Sequence, residues 1–269
     1  MSITEGAAIA GNVLGLNRGN RMNLKTNERV IRYIQKKIKD SQNIVAVIGI
    51  EMLVEGGGSD LDSNDENYRI EKTYGYSTED ILSSSFYNAK AAKFYRFYKK
   101  EILGMNVDKT PAYDALLKLQ AQGKLSAVIS QNFHGIPKGV SFQNLIELNG
   151  NFDSNKCPRC NKKFNMKYMI HAEGIPMCDR CKTAVRPDIR LLGERVNTIL
   201  LTETELALEA ADILLILGKN MYNDRLEHNL SLDHEQLRVL FSKDDVLSDR
   251  KVDFVIKDDI SAVLPLIIE

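Results

Sequence analysis

Short, unbroken apolar runs alternate along this chain with stretches of helical period. Residues 43–48 (NIVAVI) lead into Gly49, residues 124–130 (KLSAVIS) end at Ser130, and residues 212–217 (DILLIL) lead into Gly218. Residues 145–148 (LIEL), 237–241 (LRVLF) and 252–256 (VDFVI) are further runs of this kind. Aliphatic runs without polar alternation suit strands buried on both faces, as in a parallel sheet. Val30, Ile31, Ile34 and Ile38 recur at helical spacing, with Thr26 or Asn27 as the cap. Residues 77–123 read as mainly helical, in segments opening at Thr78, Ala89 and Pro111, and residues 259–268 as a closing helix. The alternation predicts an α/β fold, a doubly wound, Rossmann-like parallel sheet covered on both faces. Such sheets bind ligands beyond the carboxyl ends of their strands, where Gly49, Ser130 and Gly218 stand.

Two segments break the pattern. Residues 55–65 form a Gly- and Asp-rich loop after the first strand. Residues 151–186 carry all four cysteines, many basic side chains and few aliphatics. The expected organisation is a flexible lead-in over residues 1–25 and an α/β domain made from residues 26–150 and 187–269. A helical lid is inserted at about residues 60–105, and a zinc-binding module spans residues 151–186. The aromatics Phe86, Tyr87, Phe94, Tyr95, Phe97 and Tyr98 in the lid recur at helical spacing, which favours packing over a peptide groove.

At 269 residues the chain is long enough for one large domain plus a small one. Its 36 basic side chains balance its 36 acidic ones, so no global positive field exists to hold nucleic acid. Basic residues are concentrated locally, ten against four acidic over residues 156–195. That asymmetry leaves room for an acidic protein partner. No apolar run approaches the ~20 residues of a membrane span. Glu5, not a basic cluster, precedes the short apolar stretch at residues 7–16, so a secretory signal is not expected. The expected compartment is the cytoplasm, where thiols stay reduced.

Cys157-Pro158-Arg159-Cys160 and Cys178-Asp179-Arg180-Cys181 are two CxxC pairs with 17 residues between them, the spacing of a zinc ribbon. Two disulfides would suit a secreted chain, and a redox pair needs only one CxxC. Four thiolates would complete a tetrahedral shell and leave no open position, so such a zinc is structural.

A zinc ribbon inserted between the halves of a doubly wound sheet resembles the sirtuin family. The likeness runs from about residue 30 to the end. Arg186-Pro187-Asp188-Ile189-Arg190-Leu191-Leu192-Gly193-Glu194 is similar to the family's Arg-Pro-x-(Val/Ile)-x-x-Phe-Gly-Glu. Ser130-Gln131-Asn132-Phe133-His134 resembles Thr-Gln-Asn-Ile-Asp, and Leu145 to Gly150 resembles Ile-Glu-Leu-His-Gly. The resemblance implies NAD-dependent removal of acyl groups from lysine through an ADP-ribosyl-linked intermediate. It implies cofactor contacts at Gly49, Asp60, Gln131, Asn132, His134, Gly218 and Asn220, with NAD or ADP-ribose as ligand and an acylated protein as partner.

The departures bear on that chemistry. The family's Gly-Ala-Gly-Ile-Ser is Gly49-Ile50-Glu51-Met52-Leu53 here, so a carboxylate stands where a glycine admits a pyrophosphate. The family's loop arginine becomes Asp62, and Gly218-Lys219-Asn220-Met221 replaces Gly-Thr-Ser-Leu. Asn149 takes the place of the catalytic histidine, and an amide cannot accept a proton near neutral pH. His134 takes the place of an aspartate that faces nicotinamide. The expectation is a sirtuin-like scaffold, with Asn149 and Asn132 at its catalytic positions, whose conventional deacylation is weak or lost and which retains a nucleotide or peptide pocket. An atypical NAD-consuming enzyme, such as an ADP-ribosyltransferase, and a non-enzymatic interaction module are the alternatives.

Overall fold

The computed structural model describes residues 24–218, 236–243 and 252–268. In chain order its strands are β1 (Ile44–Ile48), β2 (Leu125–Ser130), β3 (Leu145–Glu147), β4 (Asn155–Lys156), β5 (Lys163–Phe164), β6 (Ile213–Leu217), β7 (Leu237–Phe241) and β8 (Phe254–Ile256). Its helices are α1 (Leu24–Asp40), α2 (Ile50–Glu55), α3 (Asn64–Tyr74), α4 (Thr78–Ile81), α5 (Ser84–Ala89), α6 (Ala91–Phe97), α7 (Pro111–Ala121), α8 (Met166–His171), α9 (Thr198–Ala210) and α10 (Ile260–Ile267).

Six strands form one sheet in the order β3-β2-β1-β6-β7-β8, every neighbouring pair parallel. The chain moves outward on one side from β1 to β3, then crosses back to β6 and moves outward on the other. Strand order reverses between β1 and β6, and the crevice of such a sheet opens at that point. All five residues of β1 and of β6 are buried, which explains their unbroken apolar sequence. Alternate side chains serve opposite faces. Ile44, Ala46 and Ile48 pack with α1, α7 and α10, while Val45 and Val47 pack with Leu208 and Ala211 at the end of α9.

A third apolar cluster lies outside the sheet. Phe94, Tyr95, Phe97 and Tyr98 are fully buried and pack with Cys157, Phe164, Met169, Cys178 and Val185. The lid aromatics are therefore core, as their spacing predicts, and the cysteine segment shares that core. Tyr95 Oη donates to the Val185 carbonyl at 2.6 Å, and Lys99 Nζ donates to the Gly174 carbonyl at 2.6 Å.

Several local expectations need correction. Helix α1 begins at Leu24, so Thr26 and Asn27 lie inside its first turn and do not cap it. The helical run expected from Ala89 is broken at Lys90, and α6 continues as a π-type turn over Tyr98–Ile102. The segment after β1 is not loop from the start. Helix α2 occupies Ile50–Glu55, and its last residue is a cap for another element. Glu55 accepts the backbone N–H groups of Ile260 (2.7 Å) and Ser261 (2.8 Å), the orphan donors at the start of α10. Lys219, Asn220 and Met221 lie outside the described residues.

Candidate ligand site and metal centre

The site is assembled where the carboxyl ends of β1, β2 and β3 meet the segment following the cysteines. Leu148 N–H donates to the Ser130 carbonyl, and the chain then turns at Gly150. Gly150 has φ +73°, and a Cβ there would sit 1.8 Å from the Asp188 carbonyl oxygen. Only glycine permits that approach. It lets Asn151 N–H reach the Asp188 carbonyl at 3.0 Å and Arg190 N–H reach the Asn149 carbonyl at 2.9 Å. The pairing sets Asn149 and Arg190 side by side.

Asn149 is 9% exposed, and both ends of its amide are used. Nδ2 donates to the Gln131 carbonyl at 2.5 Å, and Oδ1 accepts from Arg190 Nε at 2.8 Å. Asn132, buried in the loop after β2, donates Nδ2 to the Gly49 carbonyl at 2.8 Å. Its Oδ1 is buried with no hydrogen-bond partner among the described residues. Gln131, 1% exposed, donates its backbone N–H to the Ile48 carbonyl. The Gln-Asn pair thus ties the ends of β1 and β2 together.

His134 is also buried, edge-on to Phe152 with ring centroids 4.8 Å apart. Burial pushes its pKa down to about 4, against a smaller opposing effect of the Ile102 backbone, so the ring is neutral at pH 7. Its Nε2 has no partner among the described residues. It faces a small void of about 30 Å³ with Ile50, Leu53 and Met105. A larger cavity of about 150 Å³ lies beside it, lined by Asp62, Glu79, Leu82, Phe133, Asn149, Ile189, Arg190 and Leu192.

The crevice between β1 and β6 is crossed by Glu51. Gly218 has φ +93°, and a Cβ there would lie 2.8 Å from Glu51 Cβ. The Glu51 carboxylate accepts the Ser242 hydroxyl at 2.5 Å and the Lys243 backbone N–H at 3.2 Å, at the end of β7. Gly49 N–H donates to the Leu217 carbonyl and closes β1 against β6. A dinucleotide phosphate at this reversal point would meet a fixed carboxylate, so the residues at this end of the crevice do not fit that group. Asp60 does not line either cavity; its Oδ1 accepts the Asp62 N–H at 3.1 Å and tightens the loop.

Of the expected site residues, Gly49, Gln131, Asn132 and Asn149 come together, Gly218 lies across the crevice against Glu51, and His134 sits behind them. Arg190 and Ser242 were not among the expected site residues. Arg190 occupies an unspecified position of the Arg-Pro…Gly-Glu pattern, so no sequence signal marks it. Ser242 follows a strand end, where the topology rule of open sheets could have pointed to it.

The four cysteines are unpaired, and their Sγ atoms all lie within 4.8 Å of one another. Each CxxC is a tight turn. Asn161 and Lys182 adopt left-handed φ of 56° and 57°, with N–H bonds back to the Cys157 and Cys178 carbonyls. Cys160 and Cys178 have sulfurs 3.7 Å apart, and Cys157 and Cys181 are closer, at 3.2 Å. Two thiolates at ~2.3 Å from one tetrahedral zinc would be separated by about 3.8 Å. The donor set is one that could hold zinc.

An open six-stranded parallel sheet with a four-cysteine module beside its ligand crevice defines a class of Rossmann-like, zinc-module proteins. The chain matches the Sir2 family over residues 54–222. It is 32% identical over 237 residues to an NAD-dependent protein deacetylase of Clostridium tetani, covering 88% of this chain and 96% of that one. It is 30% identical over 241 residues to an NAD-dependent protein deacetylase of Clostridium perfringens, covering 89% and 98%. A solved complex described as Sir2–p53 peptide–NAD+ superposes with a TM-score of 0.72 at 21% identity, covering 87% of this chain and 95% of that chain. This chain belongs to the Sir2 family.

Proposed function

We propose that this protein is a Sir2-family scaffold that has lost conventional lysine deacylation and retains a ligand pocket. The observation that carries the reading is the Asn149 amide, committed at one end to the Gln131 carbonyl and at the other to Arg190. A general base must accept a proton and release it; a hydrogen-bonded carboxamide does neither near pH 7. Losing a positioned base costs about 10²–10⁴-fold in rate. His134, the histidine in the adjacent loop, is buried and lies outside the lining of the larger cavity, so it does not meet a ligand there as a substitute base. Glu51 adds a second obstacle, because its carboxylate opposes a dinucleotide where the sheet would receive one. The cysteine module over residues 151–186 holds a structural zinc, and the protein works in the reducing cytoplasm, where thiols remain free to bind metal.

The test is calorimetry of zinc-loaded protein with NAD and, separately, ADP-ribose, beside a nicotinamide-release assay over acyl-lysine peptides. The expected result is no nicotinamide release above background. NAD-dependent deacylation by the wild type, abolished by Asn132→Ala, would refute the reading.

A second reading, an atypical NAD-consuming transferase, is favoured by Asn132. Its buried Oδ1 lacks a partner, as an atom reserved for a ligand would. Transfer to a strong nucleophile needs no histidine base. Micromolar NAD binding in the same calorimetry would favour this second reading, since it requires Glu51 to leave the crevice.

A further inference from the structure

The cavity beside Asn149 is lined by unpaired side chains of both charge signs. Arg190 is half-buried, and its Nε is spent on Asn149. Neither of its terminal nitrogens has a hydrogen-bond acceptor, and it forms no ion pair, among the described residues. Its neighbour Arg186 is different, held bidentate by Glu194 with both N–O distances 2.8 Å. Burial lowers the Arg190 pKa and the Glu194 charge nearby only partly offsets it, so the guanidinium lacks solvation that an anion in contact would replace. Asp62 and Glu79, both exposed, line the same cavity and form no ion pair with Arg190 or with any other described residue. Partial shielding, then Asp60 and Glu79, hold the Asp62 carboxyl above its usual range, a repulsion that a nearby cation would relieve. Leu82, Phe133, Ile189 and Leu192 supply its apolar lining. The space, about 150 Å³, admits several heavy atoms, since one water needs about 10–15 Å³ of the same measure.

We propose that this cavity binds a small zwitterion with a carboxylate at Arg190, an apolar stem along Phe133 and Leu192, and an ammonium group between Asp62 and Glu79. An ω-amino carboxylate is the simplest member of that class. The proposal rests on the reading that the pocket persists without deacylation, and it assigns the pocket a ligand that is not a nucleotide.

The probes are 6-aminohexanoate, hexanoate and hexylammonium, titrated by calorimetry into the zinc-loaded full chain. Saturable binding of 6-aminohexanoate is expected, at least tenfold tighter than either singly charged probe. Arg190→Gln should weaken it at least tenfold. Glu79→Gln, at an exposed position, should shrink the preference over hexanoate severalfold, with Asp62 still in place. Binding of none of the probes overturns the proposal, as does tighter binding of hexylammonium or an unchanged affinity in Glu79→Gln. NAD-dependent deacylation of an acyl-lysine peptide by the wild type would instead sink the loss of deacylation, whatever the probes do, so the two failures are distinct.

Discussion

Arg190 and Asn149 are joined twice, by Nε to Oδ1 at 2.8 Å and by backbone N–H to carbonyl at 2.9 Å. Replacing Asn149 by alanine removes the side-chain bond and also leaves the buried Gln131 carbonyl without its Asn149 donor. The expected destabilisation is about 1–3 kcal/mol, the cost of buried polar groups left unpaired. Urea denaturation of the zinc-loaded variant checks it. A midpoint equal to wild type would mean that the amide is a spectator, and the argument from its locked geometry would fall.

The sheet was legible because each of its strands is an apolar run bounded by polar or turn residues, a pattern that both-face burial imposes. The cysteine spacing likewise announced its cluster. Helix α2 was missed because Glu51, Glu55 and the following glycines read as loop, whereas Ile50, Met52 and Leu53 are buried and Glu55 serves α10 far along the chain. Arg190 was missed for a related reason. Its role depends on the pairing of residues 149–151 with 188–190, a contact across about forty positions that no local period reports.

Zinc removal should unfold more than the cysteine segment. Cys157 and Cys178 are fully buried in one cluster with Phe94, Tyr95, Phe97 and Tyr98, so the metal clamp and the lid share a core. Structural zinc contributes directly to folding free energy. A chelator should therefore abolish the near-ultraviolet signal of the lid tyrosines together with one equivalent of zinc. A chelated protein that keeps its tyrosine signal would show that the aromatic cluster stands alone.

Stability should fall between pH 6.5 and pH 4 through His134. The unfolded chain takes a proton on this residue near 6.5, the folded chain only near 4. The unfolded state thus binds more protons in that window, and stability rises with pH across it. The share lost by pH 5 is on the order of 2 kcal/mol. The difference in urea midpoint between pH 7 and pH 5 should shrink in His134→Asn. An equal difference in both proteins would place the histidine pKa near its ordinary value.

Glu51 is the residue whose removal should bring a dinucleotide back. Its side-chain stem lies beside Gly218 and its carboxylate accepts from Ser242 and Lys243, so the charge is held near the reversal point of the sheet. Replacement by glycine removes both the volume and the like charge opposing a phosphate. NAD affinity measured by calorimetry should rise at least tenfold in Glu51→Gly, about 1.4 kcal/mol. Binding alone would not restore the chemistry, because Asn149 still offers no base. Glu51→Gly should bind NAD without deacylating, Asn149→His alone should do neither, and only the double variant should remove the acyl group from an acyl-lysine peptide. If Asn149→His alone deacylates, Glu51 is no barrier and the crevice accepts NAD as it stands. If Glu51→Gly gains no affinity, the dinucleotide is excluded by something other than this carboxylate.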